Sequence, residues 1–257
     1  MHIVVALRLV PDLTGDAELS ADGKDIDREW IDLKLNEFDD HALEEALLLQ
    51  EATGAKVTAV AIDQDGANRQ LQTALARGAD KAFKINAQDG VPVSSRATAA
   101  LYSAAIQQLQ ADLFMTGVQT PEDIAGQLAP MVGAQLHWPC INAVSSITVS
   151  STGASIVAQQ EYSGGHSATF EVQLPAVCGV QTASQPIRYV SGSKLRQAAA
   201  SSIPVINVIA NKSEDFVDRI SLAVPDRNGG AKMLGSNPQS VAGQIRQLLA
   251  ENKLLKG

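Results

Sequence analysis

The loops that follow predicted strands hold the residues that could bind a nucleotide. The most suggestive loop runs from Gly117 to Asp123 and leads into Gly126-Gln127 at the start of a predicted helix. Free backbone amides and the positive end of a helix dipole favour a bound phosphate. A glycine turn followed by an Asp-capped helix explains the same residues about as well, because the usual fingerprints GxGxxG and GxxxxGK[ST] are absent from the sequence.

No group of residues has the spacing of a catalytic or metal centre. The sequence lacks a nucleophile elbow and an HExxH motif. The histidines lie far apart, at His2, His41, His137 and His166. The paired acids Asp39-Asp40 and Glu44-Glu45 are predicted to cap a helix and to face solvent. We therefore expect no catalytic and no metal-binding residues, as in a protein whose cofactor carries the chemistry.

Composition narrows the class of protein. The chain has 257 residues, 45% of them hydrophobic and 19% charged, with a net charge of −8 and no basic stripe, which argues against a nucleic-acid partner. No apolar stretch approaches the roughly 20 residues that span a bilayer, so membrane insertion is not expected. Cys140 and Cys178 are predicted to be buried, reduced thiols of a bacterial cytoplasmic protein. A redox pair is the alternative, without a motif to support it.

The elements that must position these loops alternate along the first part of the chain. Short β-branched runs alternate with helical apolar periodicity, which predicts an α/β fold with a doubly wound, mostly parallel sheet. Strands are expected at 3–6, 57–62, 81–85 and 113–116, and helices at 39–52, 67–77, 94–109 and 123–136.

The pattern changes after Asn142. Alternating runs at 144–149, 155–160 and 169–174 predict an antiparallel hairpin extension, and the apolar run 176–180 predicts one more strand of the sheet. Helices are expected at 194–200 and 240–252. We divide the chain into a nucleotide-binding domain, residues 1–200, and a C-terminal arm, residues 201–257. This arm either packs on its own domain or reaches a partner.

Five segments, in this order and spacing, resemble the β subunits of electron-transfer flavoproteins, including the FixA branch. They are an opening strand with a basic-x-Val-Pro-Asp turn at 3–12, an Asn-x-Phe-Asp start of an Ala-x-Glu-Glu-Ala helix at 36–46, an Ala-Leu-Ala-x-Gly-Ala-Asp segment at 74–80, a glycine loop ending in Gly-Gln-x-x-Pro at 117–130, and Leu-Pro-Ala-Val at 174–177.

The resemblance implies a heterodimer whose α subunit supplies most of the binding surface for FAD. The β subunit would hold AMP or, in bifurcating members, a second FAD. The cofactor-binding residues that it implies are Ala6, Asn36, Glu37, Phe38, Asp39, Ile62, Gly117, Val118, Gln119, Thr120, Asp123, Gly126 and Gln127. Leu13 and Phe38 match positions that approach the flavin ring of the α partner.

The sequence departs from the family pattern at the cleft. The loop between Gly117 and Gly126 is shorter than is usual in the family, and Ala129 stands where a glycine is common. AMP, a second FAD and an empty site therefore all stay open for the β subunit. In a separate segment, residues 158–165, Gln160 replaces a basic residue and Ser163 replaces an acid, which implies the loss of a charged contact to the α subunit or the flavin.

The segment from Pro186 to Ala198 resembles the family's docking loop for acyl-CoA dehydrogenases. Its partner-docking residues would be Arg188, Tyr189, Gly192 and Leu195, with Gly192 in place of a leucine anchor. We therefore expect a dedicated flavin-dependent dehydrogenase as electron donor and a quinone oxidoreductase-like or other acceptor. The alternatives are a stand-alone sensor of AMP or ATP and, less favoured without a P-loop, an adenylating hydrolase.

Overall fold

A computed structural model describes residues 1–14, 18–27, 29, 31–87, 91–92, 94–209, 220–224, 230 and 233–255. The strands are β1 (His2–Ala6), β2 (Leu9–Pro11), β3 (Leu33–Leu35), β4 (Lys56–Ile62), β5 (Lys81–Asn86), β6 (Leu113–Gly117), β7 (Cys140–Val149), β8 (Ser155–Tyr162), β9 (His166–Gln173), β10 (Ala176–Val180) and β11 (Val205–Asn207). The helices are α1 (Glu37–Thr53), α2 (Ala67–Arg77), α3 (Ser95–Leu109), α4 (Leu128–Leu136), α5 (Gly192–Ala199) and α6 (Pro238–Glu251).

Within the described residues, nine strands form one sheet in the order β11-β5-β4-β1-β6-β10-β7-β8-β9. Neighbouring strands are parallel from β11 to β7, and β8 and β9 continue the sheet as antiparallel strands. The predicted α/β sheet with its hairpin extension is therefore confirmed. The chain moves outward from β1 to β5 and then returns to β6, so the topological switch point lies between β1 and β6.

Alternation along β1 separates two apolar layers. Ile3 and Val5 pack under α1 and α2, whereas Val4 and Ala6 pack under α3 and α4. Successive strand residues point to opposite faces of a sheet, and a parallel sheet covered on both faces therefore needs apolar residues at every strand position. This accounts for the unbroken apolar run that opens the chain.

Several predicted boundaries differ from the structure. Helix α4 begins at Leu128 rather than at 123, because the preceding residues form a turn that contains Gly126 with φ +63°. The two-stranded sheet of β2 and β3 and the edge strand β11, which lies within the predicted arm and pairs with β5, were not predicted.

Two acids of α1 were predicted wrongly as solvent-facing. Glu44 and Glu45 are 2% and 1% exposed, because the chain around residues 183–188 folds over the helix. The Glu45 carboxylate accepts hydrogen bonds from the amides of Ile147 and Ser184 at 2.7 and 2.8 Å.

The prediction of two buried, reduced cysteines is half right, since both thiols are free but Cys178 is buried and Cys140 is exposed.

Candidate functional site

A cleft opens where the carboxyl ends of β1, β4 and β6 meet the first turns of α3 and α4. Its wall includes Ile62, Ser94, Tyr102, Thr120 and Asp123, and its volume is about 70 Å³. Parallel sheets generally bind their ligands at the carboxyl ends of strands beside the switch point. The cleft is therefore the position at which the fold would present a nucleotide.

The structure brings the predicted binding residues to this edge, on two different surfaces. Ile62, Thr120 and Asp123 line the cleft itself, whereas Ala6 is fully buried at the end of β1. The four residues 36–39 form the start of α1, against the end of β6. Val118, Gln119, Gly126 and Gln127 form the loop between β6 and α4.

The Asp39 carboxylate organises the start of α1. It is fully buried and accepts hydrogen bonds from the Arg8 amide and guanidinium, from Asn36 Nδ2 and from Thr116 Oγ1, at 2.8 to 3.1 Å. The Gly117 amide donates to the same carboxylate. Arg8 in turn donates to the Gly117 carbonyl at 2.7 Å. These bonds join the ends of β1 and β6 to α1 through one buried ion pair.

Two glycines allow the chain to approach itself closely here. A Cβ at Gly117 would lie 2.5 Å from the Phe38 carbonyl carbon and 2.6 Å from the Asp39 nitrogen. A Cβ at Gly126 would lie 2.5 Å from the Val118 carbonyl oxygen, and the φ of Gly126 is +63°. Both positions require glycine for steric reasons, which explains the glycines of the predicted loop.

Two amides at the start of α4, those of Gln127 and Leu128, are already hydrogen-bonded within the chain. The Asp123 carboxylate accepts from the Gln127 amide at 3.0 Å and from the Leu128 amide at 3.1 Å. The Asp123 carbonyl accepts from the Gly126 amide at 3.0 Å, and the Asp123 amide donates to Thr120 Oγ1 at 2.9 Å. A phosphate at this helix would use the same Gln127 and Leu128 amides, so these residues, already bound to a carboxylate, do not fit a nucleotide phosphate.

The charge of the cleft is also unsuited to an anion. Among the described residues that line it, Arg8 is the only cation, and its guanidinium is engaged with Asp39 and backbone carbonyls. The Asp123 carboxylate adds negative charge to the same wall. The hydroxyl of Tyr102 is buried there without a hydrogen-bond partner among the described residues. Burial, and next the charge of Asp39, raise the pKa of Tyr102, so this hydroxyl stays protonated.

The predicted docking residues lie around the start of α5. Tyr189 is 92% exposed and Leu195 is 37% exposed, while Gly192 begins the helix. Arg188 instead holds the segment against α1, since its guanidinium donates to Glu44 at 2.8 Å and to Glu51 at 2.6 Å. Exposed apolar side chains beside this ion-paired arginine form a surface that the described residues leave uncovered.

Sequence reasoning missed three residues of the site: Arg8, Tyr102 and Thr116. Arg8 belongs to the basic-x-Val-Pro-Asp turn, and its position directly after β1 could have indicated a role. Tyr102 and Thr116 gave no signal, because an aromatic residue in a helix and a threonine in a buried strand are both ordinary core residues. Their roles depend on contacts with residues far away in sequence.

The described part of the chain contains no group of three or more His, Cys, Asp or Glu residues that could hold a metal ion. None of its helices is both long and apolar enough to cross a membrane.

Comparison with known proteins defines the class to which this fold and edge belong. The family model for the electron transfer flavoprotein domain matches residues 25–211, well over half of the chain. The chain therefore belongs to the electron transfer flavoprotein family.

Individual relatives can be aligned with most or nearly all of this chain. The electron transfer flavoprotein subunit beta of Methylophilus methylotrophus is 26% identical over 98% of this chain and 99% of its own. The same subunit of Bacillus subtilis is 27% identical over 86% of each chain. A caffeyl-CoA reductase-Etf complex subunit of Acetobacterium woodii is 27% identical over 99% of this chain and 100% of its own. The sequence resemblance to β subunits is confirmed.

Proposed function

We propose that this chain is the β subunit of a heterodimeric electron carrier whose FAD is held mainly by an α subunit. It receives electrons from a dedicated dehydrogenase and passes them to a quinone oxidoreductase-like or other acceptor. The bound flavin supplies the redox chemistry, by taking up electrons from one partner and releasing them to another. The residues of this chain orient the flavin and form the contacts between the proteins.

The uncovered apolar face of α6 is the observation that carries the proposal. Val241, Ile245, Leu248 and Leu249 lie on one face of this helix, yet no residue of α6 is buried. Ile245 and Leu248 are 45% and 42% exposed. An isolated helix of this length is only marginally stable in water, and amphipathic helices gain stability by packing their apolar face. A partner that covers this face supplies the apolar packing that the described residues do not provide.

The carboxyl edge of the sheet offers a second surface, suited to a flavin held by another chain. Leu13, after β2, is 48% exposed, and Phe38, at the start of α1, is partly exposed. Apolar side chains at this edge suit the planar ring of a flavin. The backbone of Phe38 is fixed by its close approach to Gly117, which gives that side chain a rigid base.

Co-expression with a candidate α subunit tests the proposal. The chain alone should be colourless, and the two chains together should form a yellow one-to-one complex with FAD. Molar mass by light scattering and flavin absorbance measure both properties. The complex should also be reduced by a flavin-dependent dehydrogenase. A monomeric chain that binds no α subunit would overturn the proposal.

Two variants test the flavin-facing edge within that complex. Leu13→Ser should shift the visible flavin spectrum or raise the rate of FAD loss by about fivefold, as expected for a lost apolar contact of about 1 kcal/mol. Ile124→Ser is the matched control, because Ile124 is also an exposed apolar loop residue, at 76%. Equal effects of the two substitutions would contradict the assignment of Leu13.

A further inference from the structure

We propose that the Asp123 carboxylate takes the place of a nucleotide phosphate at the start of α4, and that the cleft consequently binds neither AMP nor a second FAD. One consequence of this inference, that the heterodimer carries a single flavin, rests on the proposed function. The binding property itself belongs to this chain and can be measured without a partner.

The geometry at α4 gives the first argument. The amides of Gln127 and Leu128 both point at the Asp123 carboxylate, at 3.0 to 3.1 Å. Pro130, in the first helical turn, has no amide hydrogen to offer a ligand. A carboxylate at a helix N-terminus satisfies the same donors and the same dipole as a phosphate would. A nucleotide phosphate could bind these two amides only after displacing this internal anion.

The loop holds Asp123 in that position. Thr120 and Asp123 exchange backbone hydrogen bonds at 3.1 and 3.3 Å, and the Asp123 amide also donates to the Thr120 hydroxyl. Arg8 donates to the Gly117 carbonyl at the beginning of the loop. The carboxylate is therefore preorganised, and its interaction with the helix requires little further ordering.

Charge and space give the second argument. A phosphate would meet the Asp123 carboxylate on the wall, and Arg8, the only cation among the described lining residues, already pairs with Asp39. The Tyr102 ring fills the interior against Phe114, with centroids 5.7 Å apart. The cavity of about 70 Å³ is far smaller than the roughly 300–1,000 Å³ of typical ligand pockets.

The test measures nucleotide binding to the full-length chain and nucleotide content of the heterodimer. We expect the wild-type chain to show no calorimetric binding of AMP, FAD or inorganic phosphate at concentrations up to about 1 mM, which corresponds to a binding free energy weaker than about −4 kcal/mol. Nucleotide extracted from the denatured heterodimer should be FAD alone. Stoichiometric AMP, two FAD per heterodimer, or micromolar binding of AMP by the wild-type chain would overturn the proposal.

Variants locate the effect in one side chain. Asp123→Ser removes the charge but keeps a residue that can cap a helix, and should increase the affinity for AMP or phosphate by about tenfold or more, about 1.4 kcal/mol. Asp123→Ala should do the same and, in addition, be stabilised thermally by added phosphate. Glu122→Gln is the matched control: it removes a neighbouring charge on the same wall and should change the affinity by less than about threefold.

Each further outcome is informative. If both Asp123 variants fold, as judged by circular dichroism, and gain no affinity, then Asp123 is not what excludes the phosphate and the proposal is wrong. An equal gain in Glu122→Gln would point to general charge repulsion and would also contradict it. Flavin content of the heterodimer is recorded separately, so a failure of the electron-carrier proposal is distinguishable from a failure here.

Discussion

The buried face of α1 and the C-terminal helix α6 differ in which kinds of side chain they bury. Around α1, the chain buries the carboxylates of Asp39, Glu44 and Glu45 and pairs each of them; we refer to these three acids as the α1 cluster. In α6, apolar residues are left uncovered. Charged groups are buried around α1, whereas apolar groups are exposed on α6.

This difference separates a self-sufficient region from one that needs a partner. Buried carboxylates are tolerated only where donors satisfy them, and the donors of the α1 cluster come from the same chain. The apolar face of α6 finds no such partner among the described residues. The sheet and α1 should therefore fold without an α subunit, whereas the energetic contribution of α6 should appear only in the heterodimer.

The largest expected effect tests the self-sufficient region at Asp39. Asp39→Ala leaves the Arg8 guanidinium, with only 9% of its side chain exposed, without its carboxylate. We expect the free energy of unfolding to fall by about 3–5 kcal/mol, measured by urea denaturation of the isolated chain. Asp65→Ala, on an exposed loop, is the control and should change it by less than about 0.5 kcal/mol. Similar midpoints for Asp39→Ala and wild type would contradict the role of Asp39.

A smaller effect is expected at α6, and only in the complex. Leu248→Glu should leave the urea midpoint of the isolated chain unchanged, because Leu248 is 42% exposed there. It should weaken binding of the α subunit by about 30-fold, or about 2 kcal/mol, as for a buried interface residue. Surface plasmon resonance against the α subunit measures this loss. Gln247→Glu introduces the same charge at the neighbouring exposed position and should have little effect.

The opposite result for Leu248→Glu would mean that α6, like α1, is stabilised by its own chain. If Leu248→Glu destabilised the isolated chain as much as it weakened binding, α6 would pack on its own domain. The amphipathic pattern of residues 240–252 predicted the helix but left these two possibilities open, because periodicity identifies an apolar face and not what covers it.

The same limit explains which parts of the fold were predictable. Strand and helix alternation is a local signal, and it located the parallel sheet and the loops at its carboxyl edge. Helix α4 was started too early because Asp123 looks like a helix cap in sequence; it does cap α4, but from five residues before Leu128. The pattern gives the capping residue and not the path of the chain between it and the helix.

The α1 cluster shows why the rest was not predictable. Glu44 and Glu45 lie among helix-favouring residues, and acidic pairs near the start of a helix usually face water. Two of their partners, Ser184 and Arg188, are more than 130 residues further along the chain. Tyr102 at the cleft is a similar case. Local patterns carry no information about such contacts, because burial of these groups depends on which distant segment folds over them.

The smallest expected effect sharpens the comparison within α1 itself, between a buried and an exposed glutamate. Burial raises the pKa of Glu44, but hydrogen bonds from the amide and guanidinium of Arg188 and from Arg77 outweigh burial, so this pKa lies below its ordinary value. Since the folded-state pKa is lowered, the stabilisation is present above the unfolded-state pKa of about 4.3 and is lost as the pH falls through the folded-state value.

Glu44→Gln should therefore lower the free energy of unfolding by about 1–2 kcal/mol at neutral pH. The difference from wild type should narrow as the pH decreases from about 5 to about 3, because the wild-type carboxylate becomes protonated on the way. Glu51→Gln is the control, since Glu51 also binds Arg188 but its side chain is 60% exposed, and its cost should stay below about 0.5 kcal/mol. Urea midpoints measured across this pH range decide the matter. A pH-independent difference for Glu44→Gln, or equal costs for the two variants, would mean that burial does not distinguish these glutamates.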